Sequence, residues 1–289
     1  MGRSLRIGTA FGIGLYVHWT FLIIPLIAIL SGAGGGLDGI LFSTGLIFGV
    51  FGCVLLHELG HALTARSFGI DTRDITLLPI GGVARLERMS DKPGEEIAIA
   101  VAGPLVNVVI AAGLWLGLSL AGLPPVRLSE FLASQPFGER LLAGILFFNI
   151  VLVLFNMIPA FPMDGGRVFR ALLSFGVGRL RGTEIAVAVS KVFAVGFIAS
   201  GIWWHQFFLP VIGLFIMVAG SQELAMLRHD ARKRRPQVTI DYPPAEPPAQ
   251  PAQPNFSGFI WDPRAGAWVE WRNGQVVGAT YVNGAAPRW

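Results

Sequence analysis

The stretch Leu55-Leu56-His57-Glu58-Leu59-Gly60-His61-Ala62 places two imidazoles and a carboxylate within one helical turn. On an α-helix, side chains four residues apart project from one face, about 40° apart in azimuth. His57 and His61 can therefore direct ring nitrogens at a single divalent cation roughly 2.0–2.1 Å away. Glu58, beside the first of them, is placed to deprotonate a water activated by that cation. This is the chemistry of metal-assisted hydrolysis. The alternative is a buried histidine pair with a stray acid filling a polar hole. The surrounding residues are apolar enough to lie in a membrane, where each ionisable group costs on the order of 3 kcal/mol unless paired or metal-bound. Three such groups in one turn call for a compensating cation.

A catalytic zinc needs a third protein ligand and an open fourth position. Acids in apolar surroundings elsewhere reduce essentially to Asp164, in Phe155-Asn156-Met157-Ile158-Pro159-Ala160-Phe161-Pro162-Met163-Asp164-Gly165-Gly166-Arg167. Pro159 and Pro162 cannot sustain a helix, so the backbone is expected to open just before Asp164. Unwound backbone at membrane depth persists only where protein or a wet cavity satisfies it, which marks a site. The alternative for Asp164 is a helix-end acid in a turn.

These groups have to be positioned by membrane helices. Of 289 residues, 53% are hydrophobic and 14% charged, with a mean hydropathy of +0.61. Soluble domains carry about 25% charged residues. The composition excludes a cytosolic enzyme, a disulfide-stapled secreted domain and a disordered chain. The single cysteine, Cys53, precludes an intrachain disulfide and a cysteine-built metal cage. Six hydrophobic spans are expected, near 13–31, 40–66, 95–121, 141–162, 184–202 and 206–226. The net charge of +4 reflects orientation rather than nucleic-acid binding. With a cytoplasmic N-terminus, sixteen Lys and Arg fall on inside segments, from Arg3 and Arg6 to the cluster Arg228–Arg235, against Arg127 and Arg140 outside. A cleaved signal peptide is the alternative for the first span, but no small-x-small site precedes Gly32–Gly36. In this topology the second and fourth spans both run inward, so His57, His61 and Asp164 converge at one depth on one side. Asn107 and Asn149 read as interhelical hydrogen-bond formers, and Cys53 as a packing residue.

From Pro236 to Pro254 there are seven prolines in 19 residues, an extended linker. Beyond it, residues 256–289 hold Trp261, Trp268, Trp271 and Trp289, and alternate around an Asn273-Gly274 hairpin turn, with a further turn at Asp262–Gly266 able to add a third strand. The expected organisation is a membrane core over 1–226, a basic then proline-rich linker over 227–255, and a small aromatic β tail over 256–289.

His57-Glu58-x-x-His61 in one span, with Asn156-x-x-Pro159-x-x-x-x-Asp164-Gly165 in a later one, resembles the site-2 protease family of intramembrane zinc metalloproteases, peptidase family M50. Leu78-Pro79-Ile80-Gly81-Gly82-Val83-Ala84 and Ala102-Gly103-Pro104-Leu105-Val106-Asn107 support the likeness. The resemblance covers about residues 5–225. It implies an all-α polytopic membrane protein of about six transmembrane helices with a small cytoplasmic-side β-hairpin. It also implies one Zn²⁺ per chain on His57, His61 and Asp164, with Glu58 as general base and Asn156 as a hydrogen-bond donor to substrate or oxyanion. Asn156 has an alternative in satisfying the unwound turn. Ile75–Leu78 and Gly82–Leu86 read as short strands separated by a Gly81-Gly82 turn, and a strand near Arg6–Phe11 can join them. An exposed edge at Gly81, Gly82 and Val83 can pair with an unwound substrate; the alternative is a hairpin that merely covers helix ends.

The subgroup most similar in arrangement appends CBS domains, in whose place this chain has its linker and tail. The implied partners are the lipid bilayer, a membrane-anchored protein substrate such as an anti-sigma factor, and a cytoplasmic partner for the tail. The implied location is a bacterial cytoplasmic membrane with both termini inside. The rival readings are a membrane zinc-binding protein or transporter without hydrolytic activity, and an adaptor working through its tail.

Overall fold

A computed structural model describes residues 4–79, 81–88, 90–123, 136–234 and 256–281. The chain divides into two compact units, 1–235 and 236–289. The proline-rich linker, Arg127 and Trp289 lie outside the described residues.

Seven helices are described in the first unit. They are α1 (Ile23–Gly32), α2 (Gly36–Ser67), α3 (Pro93–Leu120), α4 (Phe137–Asn156), α5 (Asp164–Val177), α6 (Arg179–Trp203) and α7 (Phe208–Arg234). Among the described residues, five helical segments are long and apolar enough to cross a membrane: Trp19–Ser67, Pro93–Leu120, Phe137–Asn156, Arg179–Trp203 and Phe208–His229. This is an integral membrane protein. The first two expected spans are one segment turned back on itself near Gly36. Helix α1 lies along the first half of α2, and the Ser43 hydroxyl donates to the Ala28 carbonyl at 2.7 Å. Residues 13–18 are corrected from helix to strand. Ile13 and Leu15 are buried at every second position, a period of two that an unbroken hydropathy run conceals.

Two strand pairs form one four-stranded sheet in the order β1-β2-β3-β4, built from Ser4–Ala10, Ile13–His18, Thr72–Leu78 and Gly81–Leu86. Strands β2 and β3 run parallel, and the outer pairs are antiparallel. The expected Gly81-Gly82 turn is corrected: both glycines lie inside β4, paired with Leu78 and Leu77. The ladder breaks instead after Leu78, where Pro79 has no N–H to donate. Ile13, Leu15 and Ile75 of the sheet pack on Leu59 and Ala62 of α2, which seats the sheet directly against the helical turn carrying His57 and His61.

Helix α4 ends at Asn156, as the two prolines require, and α5 begins at Asp164. The amphipathic α5 was hidden from a hydropathy reading by Arg167 and Arg170. Arg170 is fully buried, donating through Nε to the Glu96 carboxylate at 2.8 Å and pairing also with Glu223. It thereby ties α3, α5 and α7 together. Burial alone disfavours its charge, but the two carboxylates outweigh that and raise its pKa further.

In the second unit, β5 (Gly258–Asp262), β6 (Ala267–Arg272) and β7 (Gln275–Tyr281) form an antiparallel sheet. The β6–β7 turn has φ of 54° at Asn273 and 75° at Gly274, as a two-residue hairpin turn demands. Trp261 and Trp268 sit directly opposite one another, with ring centroids 5.5 Å apart.

Candidate metal centre

His57 and His61 emerge from the last third of α2, and Asp164 from the first position of α5, and all three are buried. The Nε2 atoms of the two histidines are 3.1 Å apart, and each lies 3.2 Å from Asp164 Oδ2. Sequence separation is 103 residues between His61 and Asp164. What joins them is the unwound stretch after α4, where Gly165 and Gly166 lie close against the carbonyls of Met157, Ile158 and Ala160.

The hydrogen-bond network fixes which nitrogen of each neutral imidazole carries the hydrogen. The Ile99 carbonyl can only accept, so His61 Nδ1, 2.6 Å away, carries the hydrogen and its Nε2 presents a lone pair. The other ring is set by a longer relay. The Ile145 carbonyl accepts from Asn149 Nδ2 at 2.8 Å, so Asn149 turns its Oδ1 to Asn107, whose Nδ2 donates at 2.7 Å. Asn107 then offers Oδ1 to His57 Nδ1 at 2.6 Å, and His57 Nε2 is likewise a bare acceptor. In these neutral tautomers the Nε2 lone pairs and the carboxylate oxygen face one point, where a cation can take the place of a proton shared between imidazole and Asp164.

The triangle's size fits zinc as well. A tetrahedron with arms of about 2.0 Å has edges of about 3.3 Å, and the donor atoms observed here are 3.1–3.2 Å apart. Two imidazoles, each held through its Nδ1, and a carboxylate are a donor set suited to that ion. Among the described residues this is the one cluster of three or more such donors.

Asn107 and Asn149 are fully buried and bond between helices as expected, and those bonds run on to His57 of the site. Cys53 is drawn into the same relay, accepting from Asn149 Nδ2 at 3.3 Å. Replacing Asn107 by leucine is expected to free the His57 ring and lower zinc affinity about 10–100-fold. Competition with a chelator on purified protein measures it, and unchanged affinity would remove the relay's role.

A cavity of about 420 Å³ opens beside the triangle. Glu58, Asn156 and the β4 residues Gly81, Gly82, Val83 and Ala84 line it together with the three donors. Strand β4 is a sheet edge, with β3 on one side only. Gly82 presses on Glu58 so closely that a Cβ there would lie 2.5 Å from Glu58 Cγ. Every site residue expected from sequence therefore borders this one space. Arg167, one turn after Asp164, also borders it.

Comparison with known proteins gives a consistent picture. The sequence model of peptidase family M50 matches residues 45–138 and 132–200. A zinc metalloprotease of Methanocaldococcus jannaschii is 34% identical over 223 residues, covering 77% of this chain and 61% of that protein. A protein of Synechocystis sp. is 33% identical over 298 residues, covering 96% of this chain and 74% of its own length. Among solved structures, the site-2 protease from Methanocaldococcus jannaschii superposes with a TM-score of 0.56 at 34% identity, over 77% of this chain and 95% of that one. This chain spans 61% of the length of the first of these relatives.

Proposed function

This chain belongs to peptidase family M50, and on that premise we propose that it is an intramembrane zinc endopeptidase hydrolysing peptide bonds in or near the spanning segments of membrane-anchored proteins. The observation that carries the reading is the buried triangle of three convergent metal-ligand atoms with a carboxylate, Glu58, on the same cavity wall. His57, His61 and Asp164 would hold the ion. When bound, zinc supplies Lewis acidity, polarising a peptide carbonyl and acidifying water. Glu58 takes the proton of the attacking water and returns it to the leaving amine. Asn156, where α4 ends, donates to the carbonyl oxygen on which charge develops.

A spanning helix hides its amides in its own hydrogen bonds and must be unwound before attack. The edge of β4 at Gly81, Gly82 and Val83 supplies replacement backbone partners, adding the substrate as a fifth strand beside Glu58. The flat backbone at Gly82 lets strand and base meet. The sixteen-to-two distribution of Lys and Arg supports both termini facing the cytoplasm. In this reading residues 1–226 are the protease core and 227–255 its linker. The tail over 256–289 serves a cytoplasmic partner. A tethered regulator such as an anti-sigma factor is the substrate type that the family resemblance favours.

The test joins metal analysis to cleavage. Purified protein is expected to hold near-stoichiometric zinc and to cut a single-span protein in proteoliposomes, while Asp164→Ala loses most of both. Full zinc retention by Asp164→Ala would break the ligand assignment. Zinc flux across the same vesicles without cleavage would favour a transporter.

A further inference from the structure

Arg167 lies one turn beyond Asp164 on α5, half-buried, on the wall of the active-site cavity. A second, smaller recess adjoins that cavity and shares two of its residues, Leu86 and Arg167. Arg88, Ser90 and Glu96 line the rest of its polar wall. Of these, Glu96 is committed to Arg170, and the Ser90 hydroxyl donates to Glu95 at 2.7 Å. Among the described residues, no ion pair is made to Arg88 or Arg167. The nearest acids to Arg167 in the cavity are Asp164, close enough to feel its charge, and Glu58, and both are taken up by the metal centre and its chemistry. A half-buried guanidinium with five donors and no carboxylate of its own is poised for one brought from outside.

The sheet edge sets where that carboxylate must come from. Gly82 touches Glu58, which marks the place of bond cleavage, and Leu86 lies four residues further along β4 beside Arg88 and Arg167. At about 3.3 Å per residue, a strand laid on this edge covers that distance in about four residues. We infer that Arg167, assisted by Arg88, is a specificity-determining subsite that binds an acidic side chain of the substrate three to five residues from the cleaved bond. The inference rests on the proteolytic reading above and narrows its substrate class.

The test uses purified full-length, zinc-loaded protein and peptides in which a single Glu is walked along a neutral host sequence, each with a Gln twin. Cleavage (kcat/KM) and binding by fluorescence anisotropy are read separately. The Glu peptide is expected to exceed its twin by about tenfold in both when the acid is three to five residues from the cut. In Arg167→Gln that ratio falls to about one, and in Arg167→Glu a Lys peptide becomes the preferred one. Arg88→Gln, at an exposed position two residues past the end of β4, reduces the ratio partly and keeps the test open should the Arg167 variants fold poorly. Cleavage with equal rates for all Glu and Gln twins overturns the subsite and leaves the protease reading standing. A binding preference without any cleavage supports the subsite and overturns the protease reading.

Discussion

Glu58→Gln is expected to abolish proteolysis, by a factor of about 10²–10⁴ in kcat, while zinc content stays at the wild-type level. The amide keeps the size and most of the contacts of the side chain, including its packing against Gly82. It cannot accept the proton of the attacking water. The three metal donors are untouched, because Glu58 is none of them and lies on the cavity side of the triangle. Cleavage of a membrane-anchored reporter, measured beside metal content on the same preparation, separates base from ligand. Retained activity would remove Glu58 as the base, and lost zinc would make it a fourth ligand.

Gly103→Ala is expected to be nearly as damaging although position 103 bears no functional group. Gly103 on α3 faces the metal centre so closely that an added Cβ would lie 2.3 Å from His61 Nε2 and 2.7 Å from His57 Nε2. No real Cβ tolerates such contacts, so either the rings turn away or α3 retreats from α2. A retreat of α3 would also pull Asn107 and the Ile99 carbonyl from the two Nδ1 atoms they orient. Displacing catalytic groups by about 1 Å costs on the order of 10²-fold in rate. Zinc content should fall well below one per chain as well. Gly113→Ala, on the same helix with open space around it, is the control for helix stability and should retain zinc and activity. Equal behaviour of the two variants would mean that α3 does not crowd the ion.

The His57-Glu58-x-x-His61 pair was legible because helical periodicity alone brings residues four apart to one face. Asp164 was legible because a carboxylate behind two prolines in an apolar chain has few bland explanations. Strand β2 was not, since Ile13, Leu15 and Val17 alternate with Gly14 and Tyr16 in a run whose mean hydropathy mimics a membrane helix. The register of β4 is concealed for a similar reason. A glycine pair commonly marks a turn, and only pairing with β3 decides that Gly81 and Gly82 lie in the strand.

By itself, the sequence determined the candidate ligands, the carboxylate beside them, the opening of the helix before Asp164 and the apolar segments that carry them, all consequences of local spacing and composition. Only the tertiary structure decided that α3 contributes to the site. The Asn149–Asn107 relay, the Ile99 carbonyl and the crowding at Gly103 couple residues 38 to 96 positions apart, distances over which sequence periodicity carries no phase. The same holds for the meeting of the β4 edge with Glu58. Contacts of this kind are set by how helices and sheet pack on one another, and packing depends on the whole fold rather than on any one segment's pattern.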